Sequence, residues 1–173
     1  SPIRLWAGSV HCAAFRRPSH APAPGASRSR SPCAIVDLLR GESCAGEVRH
    51  LIVKGALPNA VNLAETLDQL VRVFGRRADG VRGDLALLQE AGLEIVAVTE
   101  PIAARAGRFR AKHCGSTTCP VSMADCLAAA TAQLLGRPLA TSDPDLACVA
   151  RAEGIDIVPL MDTQGNRQAL RGG

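Results

Sequence analysis

Between residues 63 and 74 the apolar positions Leu63, Leu67, Leu70, Val71 and Phe74 fall on one face of a helix, and Glu65, Asp68, Gln69 and Arg72 fall on the other. A second such run, Ala124, Leu127, Ala128, Thr131, Leu134 and Leu135, stops at Gly136; it follows Ser122, a good N-cap with Asp125 three residues later. Shorter helices are predicted over Ala34–Arg40 before Gly41, Ala45–Val53 before Gly55 and Asp84–Glu90 before Gly92. Another opens at Pro101 and reaches roughly Lys112, and a last one starts at Asp143-Pro144 and closes at Gly154. Between them, Ala56–Asn59, Leu93–Val98, Leu139–Ser142 and Ile155–Leu160 are predicted as strands. Alternating helix and strand signals of this kind belong to an α/β domain whose parallel sheet is covered by helices.

Residues 1–32 break this pattern. They are rich in Pro, Ala, Ser and Arg, hold no acidic residue and show no useful period, so they are expected to be disordered or not the native start of the fold. Their composition is what GC-rich DNA yields when read out of frame. The folded unit is expected to cover residues 33–161, with residues 162–173 as a flexible tail. If the segment ahead of Cys33 joins the fold at all, Ile3–Val10 is the stretch that could serve as a substitute strand.

Composition narrows the class. At 173 residues and 47% apolar content the chain can bury one α/β core. No apolar run approaches the roughly 20 residues of a membrane span, which predicts a cytoplasmic protein without a membrane partner. Seven cysteines at irregular intervals suggest buried thiols rather than a disulfide framework. The net charge of +4 comes from the first 30 residues: without Arg4, Arg16, Arg17, Arg28 and Arg30, 15 basic residues face 16 acidic ones. With no Tyr, three Phe and one Trp, the chain lacks the stacking platforms of common single-strand binders. Neither G-x-G-x-x-G nor a Walker A loop follows any predicted strand, which disfavours nucleotide-cofactor enzymes.

Taken singly, the carboxylates are open to ordinary explanations. Asp143 sits between a strand and a helix, where open α/β sheets place ligand groups, yet Asp followed by Pro is also usual helix punctuation. Asp125 fits the third position of a capping box. Glu65 could be a solvated residue paired with Arg72 or Gln69. His113, Cys114 and Cys119 hint at zinc, but no fourth ligand is evident.

Together, however, their surroundings resemble one family. Val61-Asn62-Leu63-Ala64-Glu65, then Val121-Ser122-Met123-Ala124-Asp125-Cys126-Leu127-Ala128, then Leu139-Ala140-Thr141-Ser142-Asp143-Pro144-Asp145-Leu146 and the closing Gly154-Ile155-Asp156-Ile157-Val158-Pro159-Leu160 are similar, in order, to the motifs of PIN domains of the VapC toxin type. The resemblance implies a three-layer α/β/α fold around a central parallel sheet, and hydrolysis of RNA by a metal-dependent endoribonuclease. It implies Glu65, Asp125 and Asp143 as acidic ligands of Mg²⁺ or Mn²⁺, converging on a common point. Asn62, Ser122, Thr141 and Ser142 would support them, with Asp145 as a further candidate. A cognate antitoxin and a homodimer are the partners it implies.

One position departs from the family. Cys33-Ala34-Ile35 fits the turn after the first strand, which puts Ser31 where the family carries its first aspartate and leaves that strand missing or replaced. Asp37 lies too far along to substitute and is expected to be solvated or to cap amides. The alternative function is therefore a catalytically impaired PIN-fold protein that binds RNA or an antitoxin without cleaving. Arg72, Arg76, Arg105, Arg108 and Lys112 are the residues that could line an RNA backbone, against the plainer reading of solvated helix faces.

Overall fold

The computed structural model describes residues 5–6, 34–41, 45–113 and 121–162. A first strand, β1 (Leu5–Trp6), precedes two short helices, α1 (Ala34–Arg40) and α2 (Ala45–Val53). Gly41 and Gly55 end them at φ 72° and 79°, backbone angles that a side chain disfavours. Next come α3 (Ala60–Asp68), continued by a π-helical turn over Gln69–Val73, then α4 (Ala78–Glu90), α5 (Glu100–His113) and α6 (Met123–Leu134). Strand β2 (Leu139–Thr141), α7 (Pro144–Ala152) and β3 (Ile157–Pro159) close the order.

The three strands pair in parallel in the order β1-β2-β3, with Leu5 opposite Leu139 and Leu139 opposite Ile157. Successive residues of a strand face opposite sides of the sheet, and here each side meets its own core. Leu139 and Ile157 join a cluster with Ile102, Phe109, Leu127 and Leu146, while Ala140 and Val158 join one with Ile35, Val48, Leu70 and Val81. The sheet is thus the middle layer between two helical layers, as the sequence predicts. Each large apolar side chain fully buried there contributes about 1.5–3 kcal/mol.

Several predicted elements are revised. The strands expected at Ala56–Asn59 and Leu93–Val98 reduce to one parallel bridge between Asn59 and Val96; the rest of each run packs its apolar side chains without a ladder. Helix α4 starts at Ala78, ahead of the expected Asp84, because Val81 and Leu85, one turn apart, both reach the core. Asp37 is 2% exposed and so is not solvated. Most of residues 1–32 lie outside the described residues. The part that is described, Leu5–Trp6, supplies the sheet strand that the sequence allowed only as a substitute. Cys126 is a buried thiol as expected, whereas Cys148 is exposed; neither is in a disulfide. No helix among the described residues is long and apolar enough to cross a membrane.

Candidate active site

Helix α3 begins at Asn59, whose Oδ1 accepts hydrogen bonds from the amides of Val61 (2.9 Å) and Asn62 (3.1 Å). That cap sets the phase of the helix and turns Asn62 and Thr66 inward, both at most 1% exposed. Glu65 shares this side and is half-buried, so its position is not that of a solvated surface residue. Its Oε2 is enclosed and has no hydrogen-bond partner among the described residues. Arg72, one of the partners the sequence offered it, instead grips Asp68 at 2.7 Å.

Helix α6 brings the second acid. The hydroxyl of Ser122 accepts from the Asp125 amide (3.1 Å) and the Ser122 amide donates to Asp125 Oδ2 (2.8 Å), a complete capping box. Asp125 is wholly buried. It lies near enough to Glu65 for the two negative charges to repel. Burial first, and then Asp125 and Asp68, push the Glu65 carboxyl up to about 8, against a smaller opposing effect of Asn62. The two carboxylates are thus near enough for the charge of Asp125 to be felt at Glu65.

Asp143 opens α7. Its Oδ1 accepts from the amides of Asp145 (2.7 Å) and Leu146 (3.3 Å), and its own amide donates to Thr141 Oγ1 (3.0 Å). Thr141 is buried, and Ser142, Asp143 and Asp145 are half-buried, all at the carboxyl end of β2. The expected convergence of three carboxylates is revised on this point. Among the described residues no group of three His, Cys, Asp or Glu side chains is placed to hold a metal ion. The structure joins Glu65 to Asp125, whereas the Asp143 carboxylate is turned onto the amides of its own helix.

A hard divalent cation nonetheless suits what is present. Mg²⁺ is commonly held by one or two carboxylates, with water and substrate phosphate filling the remaining positions. The enclosed, unpartnered Glu65 Oε2 beside Asp125 is the donor such an ion needs. Asp125, in the first turn of α6, and Asp143, at the N-cap of α7, also sit at the positive dipole ends of their helices.

The basic residues are largely committed within the domain. Arg76 pairs with Asp84 (2.6 Å), Arg105 donates to Gln133, and Lys112 pairs with Glu153 (2.9 Å). Burial works against the Glu153 carboxylate, but Lys112 and His113 more than offset it and hold it below its ordinary range. Arg108 is exposed. Of the zinc pattern, Cys114 and Cys119 lie outside the described residues, as does Ser31. Asn59 was missed as a site residue because its run reads as a strand end, although an Asn ahead of a helical period is itself a capping signal.

A family model described as PIN domain matches residues 33–152. Among solved structures, VapBC2 from Rickettsia felis bound to a promoter DNA fragment is similar at TM-score 0.56 and 14% identity, covering 73% of this chain and 92% of that one. FitAcB from Neisseria gonorrhoeae is similar at TM-score 0.53 and 20% identity, covering 72% and 91%. A toxin–antitoxin complex from Klebsiella pneumoniae is similar at 0.51 and 19%, covering 66% and 85%. No curated protein matches the sequence.

Proposed function

The chain belongs to the PIN domain family, and on that premise we propose that it is a metal-dependent endoribonuclease of the VapC toxin kind, hydrolysing RNA phosphodiester bonds. The observation that carries this reading is the enclosed, unpartnered Oε2 of half-buried Glu65 near the wholly buried Asp125, where burial first and charge repulsion second raise the Glu65 carboxyl to about 8. A fold gains nothing in stability from such a pair. It is the arrangement expected where a cation is to be bound.

Glu65 and Asp125 would hold Mg²⁺ or Mn²⁺, which when bound supplies an activated water and neutralises charge growing on the phosphodiester. The Ser122 amide aims Asp125 by donating to its Oδ2. Glu65 releases its proton as positive charge arrives. Thr141 fixes the backbone of Asp143, with Ser142 and Asp145 at the same strand end. Asn62, buried one turn before Glu65 on the same helix, would support it. Arg108 offers charge to the RNA backbone, joined by Arg72, Arg76, Arg105 and Lys112 where phosphate displaces their present partners. By extension from the toxin–antitoxin complexes that share the fold, the partner is an antitoxin and the working unit a homodimer in the cytoplasm.

The test is incubation of the purified chain with a labelled RNA and Mg²⁺ or Mn²⁺. Cleavage that stops with a chelator and with Glu65→Gln is the expected result. No cleavage at any protein concentration, with RNA still bound, supports the second reading, an impaired PIN-fold binder. That reading is favoured by one observation: Asp143 is turned onto its own helix rather than grouped with the other two acids.

A further inference from the structure

Arg110, near the end of α5, donates from Nη1 to the carbonyl oxygen of Val121 at 2.8 Å. The other side of that same peptide group is the Ser122 amide, which donates to Asp125 Oδ2 at 2.8 Å. A trans peptide points its C=O and N–H in opposite directions. A guanidinium therefore sits at the negative end of one peptide dipole and a carboxylate at its positive end.

We propose that Arg110 is a positioning residue for Asp125, acting through the Val121–Ser122 peptide to fix and strengthen the hydrogen bond that aims this carboxylate. The inference rests on the reading of Asp125 as a ligand of the site. Three features support it. Val121, Ser122 and Asp125 are buried at 3%, 7% and 0% exposure, so water competes little for either hydrogen bond. The donor is a cation, which polarises the peptide more than a neutral group does and makes its amide a better donor. The bond also spans from α5 to the residue just before the Ser122 cap, so it sets where α6 begins and with it the position of Asp125.

An arginine that only stapled the segment between α5 and α6 would contribute stability alone. Outer partners of metal ligands behave differently: their loss typically reduces metal affinity about 10–100-fold. Gln133 provides a matched comparison at the other end of α6, where it donates to the Glu153 carbonyl at 2.7 Å and accepts from Arg105.

The experiment compares the full chain with Arg110→Met, Arg110→Lys and Gln133→Met by thermal melting, Mn²⁺ titration calorimetry and the amide proton spectrum. Arg110→Met is expected to weaken Mn²⁺ binding about 10-fold or more and to shift the Ser122 amide proton upfield. Arg110→Lys is expected to recover part of both, and Gln133→Met to lower the melting temperature without either change. Arg110→Met that melts lower but leaves the Ser122 amide and Mn²⁺ affinity intact overturns the proposal. Should the unsubstituted chain bind no Mn²⁺, the metal reading fails, and the Ser122 amide shift alone then decides the role of Arg110.

Discussion

Glu65 and Asp143 each separate chemistry from folding in a different way. The Glu65 carboxyl moves from 4.5 to about 8 on folding. Below about pH 4.5 it is protonated in folded and unfolded chains alike and costs nothing. As pH rises the unfolded chain ionises while the folded one keeps the proton, so stability falls until the folded carboxyl ionises as well, near pH 8. Glu65→Gln is therefore expected to melt with the unsubstituted protein at pH 4 and about 2–8 °C above it at pH 8.5 without metal, the half-buried position moderating the gain. Mn²⁺ should close that gap from the other side by stabilising only the chain that retains Glu65. At Asp143, Asn caps a helix as well as Asp does. Asp143→Asn is expected to change stability by under about 0.5 kcal/mol and Asp143→Ala to cost about 1 kcal/mol. If Asp143 serves the chemistry, both lose cleavage, and calorimetry with a cleavage assay separates the two roles. The ordinary reading of Asp125 and Asp143 was legible in the sequence and correct as far as it went: both are caps. What the sequence could not show is that Glu65 and Asp125, 60 residues apart, come near enough for the charge of one to act on the other.

Elements with local punctuation were legible, and those needing distant partners were not. Gly41, Gly55 and Gly136 mark helix ends through positive φ, and the capping box of α6 is written in four consecutive residues. The run around Ala56–Asn59 has a strand's composition, but a strand exists only where a neighbour runs alongside, and among the described residues only Val96 does. Gly80 and Gly83 lower the helical propensity of the start of α4; burial of Val81 overrides it. The π-helical turn was invisible to a pattern search that assumes one period. It places Leu70 at 0% exposure and Gln69 at 8%, while Val73, which a continuous α-helix would carry back onto the buried side, is 57% exposed. Leu70→Ala is expected to cost about 2–5 kcal/mol, read as a lowered denaturation midpoint with an unchanged slope. Arg72→Ala, which breaks only an exposed pair, should change stability by under about 1 kcal/mol.

At the scale of the whole molecule, the feature the sequence left most open is the one that completes the sheet. Leu139 and Ala140, both fully buried, have β3 on one side and β1 on the other. Removing residues 1–10 strips the ladder partners from that side of β2 and is expected to cost about 2–5 kcal/mol. It also bares an edge for pairing with another chain, so light scattering should show association that the full chain lacks. The arrangement also sets a schedule for synthesis. Strand β1 lies more than 130 residues ahead of the strand it pairs with. At ribosomal speeds it waits on the order of ten seconds for its neighbour to be made. Throughout that interval the helices of one layer can form while the sheet between the layers cannot. A nascent chain is therefore inert in whatever β2 and its carboxyl end contribute, and it gains those groups only once β2 has emerged and paired.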